Sequence, residues 1–321
     1  MLSRERAKAA NGHSKCDTGL ETRLNRFSGD NILARIAVIG AVACDEVVQL
    51  IEPLRPGAHL NGAKVNSRLG GGGANTALAL AAAGHEVILL AAVGRDDAGD
   101  ALLVELTAAG VDTAHIARLN RPTTRSLILV DPLGERTVLN IARCEEDEPP
   151  ARLLKLPAEA VYVRSRRRDL APLLAAKAAS ALVVAHVPPV EPDSRPAQIL
   201  VASVSDLAPD ARRRPWTLGR AVAGERLRWV VLTAGAAGAR AYAANEQAEA
   251  TAMPVQPVDT TGAGDAFSAG LLHALAGGRA LPAALAVATR LGTEATLWAA
   301  SALPAPAVHR LLRDMPESGN A

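Results

Sequence analysis

Aromatic residues are nearly missing from this chain: Phe, Trp and Tyr together make up 2% of its 321 residues. Hydrophobic residues still amount to 49%, so a sizeable core is affordable but must be filled by Ala, Leu and Val. Cysteine is scarce as well. Cys16, Cys44 and Cys144 lie far apart with no Cys-x-x-Cys, which argues against a disulfide framework or a zinc site and suits unpaired thiols in a reducing cytosol. Neither sign of charge is in excess, with 35 basic against 33 acidic residues and a net charge of +2, which points away from nucleic acid and membrane surfaces. No apolar run is long enough to cross a membrane. The most apolar stretch, 77–93, is interrupted by Gly84-His85-Glu86 and reads as helix, turn and strand. The N-terminal residues lack the apolar core of a secretory signal, so the expectation is a cytoplasmic enzyme. Several catalytic motifs are missing too. Without a Gly-Lys dipeptide there is no P-loop, and Gly70 to Gly73 lacks the third glycine of a dinucleotide fingerprint; neither HExxH nor GxSxG occurs.

What is present is an alternation of short β-rich runs with Ala- and Leu-rich helical stretches. Arg35 to Gly40 is suited to a buried parallel strand. Residues 72–83 read as a helix stopped by Gly84, residues 86–93 as the next strand, and residues 100–109 as a helix closed by Gly110. Further strands are expected at 161–163, 182–184, 199–201 and 229–233. Such alternation predicts an α/β fold, a mostly parallel central sheet with helices on both faces. Residues 46–67 and 125–141 fit no helix between them. The second of these reads as a hairpin around Asp131-Pro132-Leu133-Gly134, and together they predict a small β lid. Asn245 to Glu249 reads as a polar turn before a strand leading to Pro257, and residues 280–300 as a pair of Ala-rich helices. Residues 1–34, polar and aperiodic, read as a disordered or extended tail ahead of one domain over 35–315.

The chemistry concentrates in Asp259-Thr260-Thr261-Gly262-Ala263-Gly264-Asp265-Ala266-Phe267, where a polar, glycine-bearing loop turns directly into an apolar helix. The first amides of such a helix have no intrahelical partners, and with the positive end of the helix dipole they form a site for a phosphate oxygen. Gly262 and Gly264 let the main chain approach the anion. Asp265 stands beside that site; as an anion it cannot be a phosphate ligand, but it can take a proton from an attacking hydroxyl. A capping aspartate on an ordinary core helix is the plainer reading of this stretch alone. A second constellation is Gly70-Gly71-Gly72-Gly73-Ala74-Asn75, where glycines admit a polyhydroxylated ligand and Asn75 offers both donor and acceptor.

Taken together, and in this order behind a first strand, the two stretches resemble the paired signatures of the ribokinase-like, or PfkB, family of carbohydrate kinases. The resemblance covers roughly residues 35–310. It implies transfer of the γ-phosphate of ATP to a hydroxyl of a small sugar or sugar-like alcohol, with Mg2+ and in some members K+. Asp265 would be the base, and the backbone of Gly262, Ala263 and Gly264 the anion hole. Asp45, Gly71, Gly72 and Asn75 would bind the acceptor. Thr233, Gly235 and Gly238 would contact the nucleotide phosphates, and Asp259 with the Thr261 carbonyl would hold a monovalent cation. It also implies a homodimer paired through lid strands.

The chain departs from the family pattern in three places. Ala43 replaces the Asn that ribokinases carry two residues before the sugar-binding Asp, and Gly72 replaces the Lys common in the ribokinase version of the glycine motif. Both departures argue against ribose itself. The Asn-x-x-Glu element that organises magnesium is missing; the corresponding stretch, 201–210, offers Asp206 or Asp210 at other spacings. A run of arginines, Arg164, Arg166, Arg167 and Arg168, reads as a solvated face or as a phosphosugar contact, and Arg212 to Arg214 as surface. Nucleoside and phosphosugar kinases on the same fold, and a non-catalytic sugar or nucleotide sensor, are the alternative functions.

Overall fold

The computed structural model describes residues 33–133 and 136–315, so the expected tail lies almost wholly outside the described residues. The first half of the chain runs β1 (Arg35–Gly40), β2 (Ala43–Leu50), β3 (Gly62–Gly70), α1 (Gly72–Ala82), β4 (Glu86–Gly94), α2 (Asp97–Ala108), β5 (Val111–Asp112), β6 (Ile116–Leu119), β7 (Arg125–Val130) and β8 (Arg136–Ala142). The second half runs β9 (Ala160–Arg164), α3 (Ala171–Lys177), β10 (Leu182–Val187), β11 (Ile199–Ser203), α4 (Pro209–Arg213), α5 (Pro215–Ala223), β12 (Trp229–Thr233), β13 (Ala239–Tyr242), β14 (Gln247–Ala250), α6 (Ala263–Ala276), α7 (Leu281–Ala295) and α8 (Ala305–Arg313).

The main sheet has the order β14-β13-β12-β11-β10-β9-β1-β4-β5, with β6 paired to β4. It is parallel from β5 to β12 and ends in the antiparallel pairs β12–β13 and β13–β14. Successive side chains of a strand point to opposite faces, and β1 accordingly feeds two cores. Ile36 and Val38 pack among α1, α6 and α7, whereas Ala37 and Ile39 pack with Leu173, Leu174 and Val222 on the α3 and α5 side. With so few aromatics, small residues do the filling. Ala74, Ala77, Ala269, Ala284 and Ala288 are all buried between helices, which lets backbones come close. Helix α6 is apolar nearly all round because it lies inside this packing, against α1, α7 and β9.

A second sheet of four strands, β3-β2-β7-β8, stands apart from the first, with β2 and β7 parallel and the outer pairs antiparallel. Its β8 and most of β3 are exposed, including Val65, Val138, Leu139 and Ile141. The expected α/β architecture with a small β lid is therefore what the chain forms.

Two local expectations are corrected. Residues 247–250 are strand, not turn: Ala248 and Ala250 pack inward while Gln247 and Glu249 face out, a period of two that pairs with β13. Residues 251–257 then form no strand. Pro254 and Pro257 have no N–H to give a ladder. Likewise 280–300 holds one helix, α7, which stops at Ala295. The chain leaves the helix there, and the Thr296 carbonyl accepts from the amides of Val258 (2.7 Å) and Asp259 (3.2 Å). The end of α7 thereby fixes the loop that precedes α6.

Candidate active site

The two sheets and the start of α6 enclose a cleft of about 1210 Å³ at the carboxyl ends of β1, β9, β10, β11 and β12, the usual ligand position in an open parallel sheet. Every residue expected to bind acceptor or nucleotide lines it, namely Asp45, Gly71, Gly72, Asn75, Thr233, Gly235 and Gly238, together with Gly262, Ala263, Gly264, Asp265 and Thr261. Asp259 lies just behind, at the base of the same loop.

Helix α6 opens at Gly262, whose φ of +73° is left-handed. A Cβ there would also lie 1.8 Å from the Ser301 carbonyl oxygen, so the position admits only glycine. A Cβ at Gly264 would meet nothing within 4 Å. There is therefore open space beside the first-turn amides, where an anion would sit.

Asp265 is 6% exposed and faces the cleft. Two side chains hold its carboxylate. Asn75 Nδ2 donates to Oδ2 at 2.9 Å, and Arg164 Nε donates to Oδ1 at 3.1 Å. Arg164 is anchored in turn, its Nη1 lying 3.2 Å from His186 Nδ1. Arginine can only donate, so Nδ1 accepts and the imidazole proton sits on Nε2. Burial, and then the charges of Arg164, Arg166 and Arg195, keep His186 well below the usual histidine range, consistent with a neutral ring. Asn75 Oδ1 is buried and has no donor among the described residues.

The acceptor end is completed by Asp45 at the start of β2. Burial pushes its carboxyl upward, against hydrogen bonds from Ser126 and Ser301 and the charge of Arg68. Gly72 explains one departure from the family pattern. A Cβ at 72 would lie 2.7 Å from Arg164 Cγ and 3.0 Å from Asp265 Oδ1. The space a lysine stem would need is filled by Arg164, which brings its own cation to the carboxylate. At the other end of the cleft, Thr233 ends β12 and donates to the Ala202 carbonyl (3.4 Å), followed by the Gly235–Ala237 turn.

The remaining arginines divide. Arg166 lines the cleft and has no ion-pair partner among the described residues. Arg167 also lines the cleft, but its largely buried guanidinium is taken up by Asp169 and by the carbonyls of Glu146 and Asp147. Arg168 pairs with Glu191 and Arg213 with Asp210 at the surface. Asp210 is thereby turned to that surface pair, leaving Asp206, in the cleft wall after β11, as the acidic side chain that could act toward nucleotide-bound magnesium through water. A monovalent cation on Asp259 fits less well. Oδ1 already accepts from the Thr261 amide at 2.8 Å and Oδ2 from Arg68 Nη2 at 2.8 Å.

Arg164 had a usable sequence signal, since it ends a strand where ligands collect. Arg68 and His186 had none, because each meets its partner only through the tertiary fold.

The chain is similar in sequence and fold to known proteins. The family model described as pfkB family carbohydrate kinase matches residues 33–211 and 217–307. The ribokinase of Bacillus subtilis is 28% identical over 282 residues, covering 80% of this chain and 91% of that protein. Among solved structures, the ribokinase of Thermotoga maritima superposes with a TM-score of 0.73 at 20% identity, covering 88% of this chain and all of that one. The Arabidopsis thaliana ribokinase complexed with ribose and ATP gives 0.71 at 19% identity over the same shares.

Proposed function

The chain belongs to the pfkB family of carbohydrate kinases, and on that premise we propose how its cleft moves a phosphoryl group from ATP to a sugar hydroxyl. Asp265 takes the proton from the acceptor hydroxyl. The freed oxygen attacks the γ-phosphorus as the bond to the β-phosphate oxygen breaks, and ADP departs. The amides at the mouth of α6, from Gly262, Ala263 and Gly264, hold the transferring oxygens in an electropositive nest. Asn75 and Arg164 keep the carboxylate of Asp265 aimed at the acceptor, and Asp45, Gly71, Gly72 and Asn75 hold the sugar. Thr233, Gly235 and Gly238 cradle the other phosphates. Magnesium, when bound with ATP, offsets phosphate charge, and Asp206 is the side chain nearest to that task.

The observation that carries this reading is Asp265, buried yet facing the cleft, beside main-chain amides with open space before them. Asp265→Asn should lower turnover at least about 100-fold while ATP still binds measurably. Near-normal ADP release by that variant would remove Asp265 from the mechanism.

A phosphosugar acceptor is the second reading, supported by Arg166, a guanidinium in the cleft wall without an ion-pair partner among the described residues, with Arg164 close by. A panel of sugars, sugar phosphates and nucleosides read by ADP release separates the two, and nucleotide binding with no transfer to any acceptor would favour the sensor. The lid supplies a further proposal, a homodimer in which Val65, Val138, Leu139 and Ile141 of one subunit are covered by the partner subunit. Sedimentation should then report twice the mass of one chain; a monomer at micromolar concentration would overturn the pairing. A cytoplasmic location suits the free thiols of Cys44 and Cys144.

A further inference from the structure

We propose that Arg68 is the resident cation of the anion-hole loop, so that this kinase works without a monovalent metal ion. The inference rests on the anion hole proposed above and concerns what keeps it in shape. The loop from Val258 to Gly262 carries one carboxylate, Asp259, and its two oxygens hold different things. Oδ1 accepts from the Thr261 amide and closes the turn that delivers Gly262 to the head of α6. Oδ2 accepts from Arg68 Nη2. Both side chains of this ion pair are largely buried, at 14% and 12% exposure.

Asp259 is kept below its ordinary range: burial opposes the charge, but the hydrogen bonds from Thr261 and Arg68 prevail. A monovalent metal ion bound to the same carboxylate would perform that service by neutralising it and fixing the turn. Here a guanidinium already does so, and it is permanently charged and covalently attached. A second cation on the same oxygens would lie against the first, in a buried site where water screens little.

Arg68 also connects the two ends of the reaction. It lies near the end of β3, directly opposite Asp45 of β2, and its charge is felt by that acceptor-side carboxyl. One side chain from the lid sheet therefore spans from the sugar site to the loop that forms the phosphate site. Its Nε is buried without an acceptor among the described residues. That costs free energy a purely structural contact would have no reason to retain.

The test uses the full chain with ADP release and thermal melting, in potassium, sodium or tetramethylammonium chloride at constant ionic strength. Wild-type turnover and melting temperature should be the same in the three salts, turnover to within about twofold. Arg68→Ala should lose at least about tenfold in turnover in tetramethylammonium and regain several-fold with potassium or with low millimolar guanidinium, neither of which moves the wild type. Arg68→Lys, which keeps the charge, should stay close to wild type. A wild-type enzyme stimulated about tenfold or more by potassium, or melting higher in potassium than in tetramethylammonium, would overturn the proposal. So would an Arg68→Ala enzyme fully active in tetramethylammonium, or one that neither cation rescues. Should the alanine variant not fold, the wild-type salt series and Arg68→Lys decide alone. The salt response is a ratio within one enzyme, so it stands or falls separately from the outcome for Asp265→Asn.

Discussion

Helices α1 and α6 both begin at a glycine of positive φ, +90° at Gly71 and +73° at Gly262, and neither has a side-chain N-cap. Their free ends differ in what meets them. The mouth of α1 is closed by protein: the Ala74 amide donates to the Ala41 carbonyl at 3.2 Å, and a Cβ on Gly71 would lie 2.5 Å from that same oxygen. The mouth of α6 opens on the cleft at Gly264, and its first turn contains Asp265 where α1 has no acid. The same backbone device therefore serves two purposes. At α1 an amide clasps the end of β1, and in the mechanism proposed above Asn75 meets the hydroxylated acceptor. At α6 the Ala263 amide makes only a long 3.4 Å bond to the Thr260 carbonyl within its own turn, and the open space at Gly264 is where the proposed mechanism puts the anion. A glycine-opened helix becomes a phosphate site only where the fold withholds a carbonyl from it.

Replacing each opening glycine by alanine separates the two roles. Gly262→Ala carries the larger effect, because the left-handed backbone disfavours a side chain by roughly 1–2 kcal/mol and the new methyl meets the Ser301 carbonyl, which belongs to backbone and cannot swing away. We expect turnover to fall about 10- to 100-fold, since the anion hole is displaced at the step it serves. Gly71→Ala meets the Ala41 carbonyl and should shift the acceptor side instead, raising the acceptor KM about tenfold and leaving the ATP KM within about twofold. Steady-state kinetics with both substrates varied reads the difference. Equal losses in turnover for the two variants would mean that the helices are not specialised as described.

That specialisation was partly legible in the chain. The glycine runs, Asn75 and Asp265 announce themselves because turn chemistry and helix patterning are local, and Gly84 and Gly110 mark helix ends for the same reason. What surrounds Asp265 was not legible. Arg164 reaches it across 101 residues of sequence and Asn75 across 190, while Arg68 reaches Asp259 across 191. Gly72 illustrates the limit. Its sequence shows a missing lysine, but only the tertiary fold reveals that Arg164 brings a positive charge into the same space. The strand at 247–250 escaped for another reason: two alanines alternating with Gln and Glu carry the right period but little hydrophobic contrast.

The two helices are also joined at their far ends, and that junction acts on stability rather than on turnover, in a pH-dependent way. His85, just after α1, lies with Nε2 3.0 Å from Nδ1 of His273 in the last turn of α6. The Ala34 amide donates to His85 Nδ1, so its proton is on Nε2, which donates to His273. A proton added to His273 Nδ1 would face that donor, and one added to His85 Nδ1 would face the Ala34 amide. Burial, then the neighbouring His85 and Arg279, bring His273 down to about 4, and burial lowers His85 as well. The unfolded chain takes up these protons near pH 6.5, whereas the fold refuses the one on His273 until about pH 4. Stability is therefore full above pH 6.5 and falls as pH drops toward 4, by about 3 kcal/mol for His273. His273→Gln removes the titrating group, so urea unfolding midpoints between pH 7 and about 4.5 should fall less steeply in the variant than in the wild type. Parallel pH profiles would show that the pair titrates alike in both states and that the α1–α6 junction is held by apolar packing alone.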